Sequence, residues 1–374
     1  MASIRRYTTA KGIKWRVQYR TPDGKSRTKT GFRTKSEAER WVATHTTSII
    51  NGTWVDPNAG NITIEALGTR WMETRTHLKP STARVEALDY RNHVLPYWGH
   101  RRIKTIKPSE VQAWVSASTQ SPSTTRHHHA ILSKILDMAV LDNLIPANPA
   151  KSVTLPRKNQ PTKVYLTISQ LQRLADEATI RGELIWLLGT TGLRWGEAAG
   201  LQVQDLDPLN GRIRVARNAV TVGGEVVVGT PKTHERRTVA CPGHVMGMLE
   251  DAARGKPRAG WLWESPAGGP MRLPGKGSFF HSALGRVRAA DPSFPSLTIH
   301  GLRHVAAGLL VSAGANVKVV QKQLGHKSAA MTLDVYAELF DDDLDAVRGA
   351  LDALVGSLGN VVKLSSNRGF GDVI

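Results

Sequence analysis

The residues best suited to chemistry in this sequence lie far apart, so a fold that uses them must bring distant segments together. The stretch from Thr298 to His304 reads Thr-Ile-His-Gly-Leu-Arg-His, with His300 and Arg303 three positions apart. On a helix that spacing places both side chains on one face. Arginine matches phosphate oxygens with a planar fork of donors, and imidazole donates a hydrogen bond or carries a proton near neutral pH. The pattern therefore predicts a phosphate-binding site.

Further candidate residues flank this stretch on both sides. His326 follows a Leu-Gly pair, and Tyr336 lies ten positions later. Arg194 belongs to the run Thr-Gly-Leu-Arg-Trp-Gly-Glu, which ends at Glu197, and Lys232 lies in a stretch that we predict to form a hairpin or small sheet. A tyrosine hydroxyl can attack a phosphodiester, and fixed cations stabilise the charge that then builds on the phosphorus oxygens.

The charge of the chain favours a polyanionic partner. The 374 residues include 50 Lys and Arg against 31 Asp and Glu, a formal net charge of +19. This balance is typical of proteins that bind nucleic acid. A membrane surface is the alternative, but the sequence has no run of 18 apolar residues and its start lacks the apolar core of a signal peptide. The single cysteine, Cys241, excludes an internal disulfide and agrees with an intracellular location.

The first 56 residues hold twelve Lys and Arg against four Asp and Glu. Trp15, Val17 and Tyr19 alternate with basic residues, which predicts a strand with one basic face in a three-stranded sheet. A capping box at Thr34 then begins a helix. A small sheet of this kind can lie in a DNA major groove, whereas the alternative is a solvated basic face. The predicted DNA-contacting side chains are Lys14, Arg16, Arg20, Arg27 and Lys29.

Periodicity and composition divide a chain of this length into several domains. We predict a small sheet-and-helix domain, an all-helical domain of four helices, and a mixed, mainly helical domain with a small sheet. A basic linker that includes Arg157 and Lys158 separates the last two domains and is predicted to lie along a phosphate backbone. The predicted bounds are residues 1–56, 57–152, 153–163 for the linker, 164–356, and 357–374 for the tail.

Three consecutive histidines, His127, His128 and His129, are the most obvious candidates for metal ligands. On a helix, consecutive side chains point in three directions and cannot share one ion. We therefore predict that this run binds no metal and lies on a groove-facing or solvated helix.

The ordered set of motifs resembles the tyrosine recombinases of the phage-integrase family. Its elements occur in the family's order over residues 166–340, and the basic start and helical middle resemble the arm-binding and core-binding domains of the larger, lambda-like integrases. Two departures are Ala198, where a larger aliphatic residue is usual, and the spacing before Tyr336. The matching elements are Thr191 to Glu197 with Leu201, the Lys232 hairpin, His300 to His304, Leu324 to His326, and Tyr336.

The resemblance implies a role for each matching residue. Tyr336 would attack DNA and form a 3′-phosphotyrosyl intermediate, and Lys232 would give a proton to the leaving 5′-oxygen. His300 would exchange a proton with the tyrosine, while Glu197 would support an arginine of the phosphate clamp and His304 would pack or donate a hydrogen bond. No metal or other cofactor is required. The phosphate would be held by Arg194, His300, Arg303 and His326.

The resemblance also implies a biological function. The protein would be a site-specific DNA recombinase that integrates and excises a phage or related mobile genome, acting as a homo-tetramer on core-type and arm-type attachment sites through a Holliday junction. A host DNA-bending protein and an excisionase would assist it in the cytoplasm of a bacterial host, at the nucleoid. The alternatives are an integrase of a conjugative transposon, a relaxing enzyme of the type IB topoisomerase kind, and a DNA-binding regulator that has lost catalysis.

Overall fold

The computed structural model divides the chain into two compact units, Met1–Gln160 and Pro161–Ile374. No helix in the part of the chain that it describes is long and apolar enough to cross a membrane. The described residues are 2–10, 12–22, 24–51, 54–56, 58–158, 162–231, 236–266, 268–340, 348–349 and 351–356.

The first unit begins with the predicted small sheet. Its three strands, β1 (Ser3–Thr9), β2 (Gly12–Arg20) and β3 (Ser26–Phe32), pair antiparallel in the order β1-β2-β3. Helix α1 (Lys35–Ile50) follows, and the Thr34 hydroxyl accepts the backbone N–H of Glu37 at 3.1 Å at its start. The helix covers one sheet face, where Val17, Tyr19, Phe32 and Ala38 are buried.

The sheet separates the predicted DNA-contacting residues onto two faces. Residues directly opposite each other in an antiparallel pair project to the same face. Arg27 is opposite the buried Tyr19, and Lys29 is opposite the buried Val17. Accordingly Arg27 pairs with Asp56 at 2.6 Å, and the Lys29 ammonium lies 4.9 Å from the centre of the Trp41 ring. Both side chains therefore lie on the helix-covered face.

The outer face of the sheet carries a different basic set. Arg5 on β1 is opposite Arg16 on β2, and the Arg16 guanidinium lies 5.9 Å from the centre of the Tyr7 ring. Lys14 and Arg20 lie an even number of positions from Arg16 along β2, so they project to the same face. Arg5, which the sequence analysis did not select, thus replaces Arg27 and Lys29 on this face.

The rest of the first unit is helical, as predicted. The second predicted helix consists of α3 and α4, joined by the π-helical turn Tyr90–Val94. The core contains Trp98 and a row of aliphatic residues from the last helix. The helices are α2 (Ile64–Glu73), α3 (Pro80–Asp89), α4 (Leu95–Trp98), α5 (Pro108–Ser116) and α6 (Pro122–Leu141).

The second unit is mainly helical around a small sheet. Three helices come first: α7 (Ile168–Asp176), α8 (Gly182–Thr191) and α9 (Trp195–Ala199). The strands are β4 (Leu206–Asp207), β5 (Arg212–Val215), β6 (Asn218–Val222), β7 (Glu225–Gly229) and β8 (Arg237–Ala240). The last helices are α10 (Gly243–Ala253), α11 (Phe279–Ala290), α12 (Leu302–Ser312), α13 (Val317–Leu324) and α14 (Ala329–Tyr336).

The strands form two separate sheets. Strands β4, β5 and β8 make one antiparallel sheet in that order, and β6 pairs with β7 as a hairpin. The small sheet predicted for this domain from the sequence is thus two sheets in the structure. Lys232, in the connection from β7 to β8, lies outside the described residues.

Candidate active site

Arg303 lies on α12 in the second unit and is only 4% exposed. Its Nη1 donates to the carbonyl oxygen of Gly192 at 2.6 Å, and its Nη2 donates to that of Leu324 at 2.8 Å. Both oxygens lie at the C-terminal ends of helices, α8 and α13, where backbone carbonyls lack helical partners and carry partial negative charge. Burial, and next the charge of Arg194, lower the pKa of Arg303 to about 10, so the guanidinium stays charged at neutral pH.

The buried carboxylate of Glu197 links two other arginines. Its Oε1 accepts from Nη1 of Arg194 at 2.9 Å and from Nη1 of Arg237 at 3.0 Å, and its Oε2 accepts from Nη2 of Arg237 at 2.8 Å. The backbone N–H of Arg194 also donates to Glu197, at 3.0 Å, which ties the carboxylate to the start of α9. Burial raises the pKa of Glu197, but the two arginines outweigh it and lower the pKa to about 2.

His326 lies between this arginine group and the tyrosine. It follows Gly325, which ends α13 with a φ of +68°, and a Cβ on that glycine would lie 2.7 Å from Nε of Arg237. Nδ1 of His326 is 3.0 Å from the Thr332 hydroxyl oxygen, and its ring is nearly parallel to that of Tyr336, with centroids 6.2 Å apart. Burial, and next the nearby arginines, lower the pKa of His326 to about 4, which leaves the imidazole neutral.

Tyr336 ends α14 and is 1% exposed. Its hydroxyl lies 3.0 Å from Nδ1 of His304, and the ring of His300 is 5.9 Å from that of His304. Burial raises the pKa of Tyr336 although the charges of Arg303 and Arg194 lower it, so the phenol is protonated at neutral pH. Burial, and next the charge of His300, lower the pKa of His304, which favours its neutral form.

The residues just after Tyr336 are attached to the start of the second unit. Glu338 accepts a hydrogen bond from the Tyr165 hydroxyl at 2.7 Å and from the Lys163 ammonium at 3.0 Å. The same ammonium lies 5.9 Å from the centre of the Tyr336 ring. The position of the tyrosine therefore depends on residues that precede α7.

The structure brings together Arg194, Glu197, Arg303, His326 and Tyr336, and it places His300 beside His304. It does not describe Lys232, while Arg157 and Lys158 are exposed near the end of the first unit. The sequence analysis missed Arg237, whose only local signal was a basic residue at the start of a predicted strand. It also missed Gln323, which donates to the Ala240 carbonyl at 2.8 Å and accepts the Ala240 N–H at 2.9 Å, joining α13 to β8.

This arrangement is suited to chemistry on a phosphodiester. Three guanidinium groups converge on a region that also holds a neutral imidazole and a protonated phenol with a hydrogen-bond partner. Such fixed cations stabilise the additional negative charge of a phosphorane-like transition state. The group of potential metal ligands found within the described residues lies elsewhere, in the helical domain.

Two family models match this chain. The model described as "Phage integrase family" matches residues 164–342, which include the whole arginine, histidine and tyrosine group. The model described as "Phage integrase, N-terminal SAM-like domain" matches residues 63–117, within the helical domain. The chain belongs to the phage integrase family of tyrosine recombinases. The family resemblance predicted from the sequence is thereby confirmed, and the protein is a site-specific recombinase.

Known relatives extend the similarity over most of the chain. The integrase of Mycobacterium phage D29 is 29% identical over 316 residues, which are 80% of this chain and 83% of that protein. A Tn1549 transposon integrase, solved with circular intermediate DNA, is 22% identical with a TM-score of 0.66 and covers 78% of this chain and 100% of its own. A lambda integrase dimer, solved on a COC′ core site, is 17% identical with a TM-score of 0.55 and covers 91% of this chain and 95% of its own. These likenesses confirm the predicted fold class.

The ion group around Glu197 predicts a pH-dependent contribution to stability. Because its folded-state pKa, about 2, is below the ordinary 4.5, the contribution is complete above pH 4.5 and disappears as the pH falls toward 2. We expect Glu197→Gln to lower the free energy of unfolding at pH 7 by on the order of 3 kcal/mol. Urea unfolding at pH 7 and at pH 3 measures this difference.

The difference between Glu197→Gln and the unchanged protein should shrink at pH 3. The exposed Glu250, on α10, provides a control, and Glu250→Gln should unfold like the unchanged protein at both pH values. A Glu197→Gln deficit of the same size at both pH values would show that the carboxylate charge is not the cause.

Proposed function

We propose that this recombinase integrates and excises the genome of a phage or a related mobile element, with Tyr336 as its nucleophile. The observation that carries the proposal is the placement of the Tyr336 hydroxyl, 3.0 Å from His304 and within the field of the Arg194 and Arg303 charges. The similarity to the phage D29 integrase over 80% of the chain supports the same class of element.

The proposed reaction is a transesterification. The Tyr336 oxygen bonds to the scissile phosphorus while the bond from phosphorus to the 5′-oxygen breaks, leaving a 3′-phosphotyrosyl link and a free 5′-hydroxyl. The phenol proton leaves to a neighbouring base, and the 5′-oxygen takes a proton that we assign to Lys232. The reverse attack by a 5′-hydroxyl from another strand restores the tyrosine and rejoins DNA, so the bond energy is conserved.

We propose that His304, in preference to His300, accepts the proton of the Tyr336 hydroxyl. A general base must lie within hydrogen-bond reach of the proton that it takes, and His304 meets this condition through Nδ1. Its lowered pKa favours the neutral imidazole, whose free lone pair can accept the phenol hydrogen. His300, at a ring distance of 5.9 Å from His304, would then help to hold the phosphate.

The arginines and His326 would divide the stabilisation of the phosphate between them. Arg194 and Arg303 supply permanent positive charge, and the neutral His326 supplies a hydrogen bond without adding a further cation. The Arg237 side chain is 12% exposed, and both of its terminal nitrogens donate hydrogen bonds to Glu197. We therefore assign to Arg237 and Glu197 the task of orienting Arg194 toward the phosphate.

Double-stranded DNA would be bound by three parts of the chain. The outer face of the amino-terminal sheet would bind arm-type sites, and the helical domain and the second unit would bind core-type sites. Arg5 and Arg16 are like charges directly opposite each other, which costs free energy in an isolated sheet and is relieved by phosphate. The exposed Arg157 and Lys158, in the proposed linker, would follow the DNA backbone.

The remaining partners of this proposal follow from the resemblance to the lambda-like integrases. Four protomers on two core sites would exchange strands in pairs through a Holliday junction. A host DNA-bending protein would bring arm and core sites together, and an excisionase would set the direction, in the cytoplasm of a bacterial host. We also propose that an amphipathic helix over 344–354 docks on a neighbouring protomer; positions 344–347 and 350 of that range lie outside the described residues.

A conjugative element is the second candidate for the mobile genome. The fold matches the Tn1549 transposon integrase with a TM-score of 0.66. A relaxing enzyme is disfavoured by the extra basic sheet, because arm binding serves to bridge two DNA segments. Relaxation of supercoiled plasmid without strand exchange between two sites would reverse that choice.

The covalent intermediate provides the direct test of the proposed chemistry. With a nicked suicide substrate that carries the attachment site, the unchanged protein should accumulate a covalent adduct visible on a denaturing gel. Tyr336→Phe should give no adduct while it still shifts the same DNA on a native gel. An adduct that persists in Tyr336→Phe would refute the assignment of the nucleophile.

The role of His304 predicts a slower cleavage step. Because glutamine keeps a hydrogen-bonding group but cannot take a proton, we expect His304→Gln to form the adduct about 100-fold more slowly at neutral pH. The unchanged protein should also slow as the pH falls below the lowered pKa of His304, whereas the variant should lack that dependence. His281→Gln, at an exposed histidine, is the matched control and should react like the unchanged protein. If His304→Gln formed the adduct as fast as His281→Gln, the role of general base would be assigned to His300.

The two faces of the amino-terminal sheet predict different effects on DNA binding. Arg16→Ala with Arg20→Ala removes two cations from the outer face, so the slope of log affinity against log salt on arm-type DNA should fall by about 2. Lys29→Ala removes a cation from the helix-covered face and should leave the slope unchanged. Fluorescence anisotropy over a salt series measures both, and an equal loss in Lys29→Ala would contradict the assignment of the faces.

A further inference from the structure

A group of potential metal ligands lies in the helical domain, outside the candidate active site. Asp89 and His93 come from the end of α3 and the π-helical turn after it, and His128 comes from α6. One ligand atom from each of these three residues lies within 4.8 Å of the others. The fold thus collects two imidazoles and a carboxylate from segments that are separated along the chain.

One ring nitrogen of the buried histidine in this group lacks a hydrogen-bond partner within the described residues. His128 is 5% exposed, and within the described residues no hydrogen-bond partner reaches its Nε2. That nitrogen is 3.9 Å from Oδ1 of Asp89, which is too long for a hydrogen bond. Buried polar atoms are seldom left without a partner, because each such atom costs about 1–3 kcal/mol.

The neighbouring residues leave space for an ion. The ring of His93 is stacked on that of His128, with centroids 4.0 Å apart and an angle of 17° between the planes. Both rings line a cavity of about 320 Å³ that also reaches Tyr97 and Trp114. A metal ion held at the ring edges would therefore face an open volume that admits a water molecule as a further ligand.

We propose that Asp89, His93 and His128 bind a divalent transition-metal ion, with Zn²⁺ the best match. Two imidazole nitrogens and one carboxylate oxygen suit Zn²⁺, Co²⁺ or Ni²⁺ and not the hard ions Mg²⁺ and Ca²⁺, which prefer oxygen ligands. Zn²⁺ bonds of roughly 2.0–2.1 Å require ligand atoms to approach to about 3.3 Å. The exposed His93 ring can rotate out of its stack on His128, and the partly exposed Asp89 carboxylate can close its 3.9 Å separation from the His128 nitrogen.

The adjacent His127 lies close to this group but outside the ligand set. Its Nε2 is 3.2 Å from Oδ2 of Asp89, the carboxylate oxygen other than the one nearer His128, without the geometry of a hydrogen bond. A rotation of the His127 ring would let it donate to Asp89, since metal-binding carboxylates are commonly hydrogen-bonded. His129 is engaged elsewhere, because its Nε2 donates to the Ala150 carbonyl at 2.9 Å.

These contacts revise the sequence-based expectation for the histidine run. From the sequence we asked whether His127, His128 and His129 could bind one ion together, and in the structure these three side chains do not form a shared site. The proposed site instead takes one member of the run, His128, and obtains its other ligands from the end of α3 and the π-helical turn after it. An ion bound there would join the π-helical turn to α6 and stabilise the helical domain, independently of the chemistry at Tyr336.

Metal binding by the full-length chain tests this proposal. The protein should be made without a histidine tag, stripped with EDTA and titrated with ZnCl₂ by calorimetry. We expect the unchanged protein to bind one more Zn²⁺ tightly per chain than either His93→Ala or Asp89→Asn binds. Any Zn²⁺ that still binds at this site in the two variants should do so with at least tenfold lower affinity. Zn²⁺ should raise the thermal unfolding temperature of the unchanged protein, and Co²⁺ should give visible absorption bands that both variants lack.

Controls separate this site from other histidines. His77→Ala removes an exposed histidine of the same domain, and His326→Ala removes one from the candidate active site; both should keep the Co²⁺ bands. Circular dichroism of His93→Ala and Asp89→Asn should match that of the unchanged protein. Unchanged Zn²⁺ stoichiometry in both variants, or an equal shift of the unfolding temperature with Mg²⁺, would overturn the proposal.

Discussion

The candidate active site depends on one buried carboxylate that holds positive charges together. A phosphodiester site needs several fixed cations, but guanidinium groups at close range repel one another and lose hydration when buried. Glu197 offsets this cost by accepting hydrogen bonds from both Arg194 and Arg237. Its ionised state is secured by those same partners, so carboxylate and arginines stabilise one another.

The third arginine, Arg303, is held by backbone carbonyl groups and not by a carboxylate. Arg303 donates to carbonyl oxygens at the ends of α8 and α13, which are separated by more than a hundred residues in sequence. The same guanidinium thus satisfies two helix ends and fixes their relative position. Gln323 joins α13 to β8, the strand that carries Arg237. The cations of the site are therefore part of the tertiary structure, and a change in one is expected to alter the fold around the others.

Sequence reasoning identified the residues with local motifs but not those defined by partners across the fold. Arg194 and Arg303 stand in recognisable frames, whereas the significance of Arg237 appears only when β8 brings it to Glu197, forty residues away. The sequence did not show which sheet face Arg27 and Lys29 share, because that depends on the pairing of β3 with β2 across the sheet. The role of His304 likewise depends on the path of α14, which the unusual spacing before Tyr336 left open.

Two kinds of contact hold Tyr336, the proposed nucleophile, and they differ in strength. Most of its restraint is burial against α12 and α13, together with the hydrogen bond to His304. The link from Glu338 to Lys163 and Tyr165 is exposed on its carboxylate side and is correspondingly weak, since solvent screens it. That link can break at small cost, which would free the chain after Tyr336 while the ring keeps its buried contacts. The arginines have no such exposed link, because Glu197 and the carbonyl oxygens that hold them are buried partners. The fold thus combines a rigid cluster of cations with a chain segment after Tyr336 that is held mainly by an exposed ion pair.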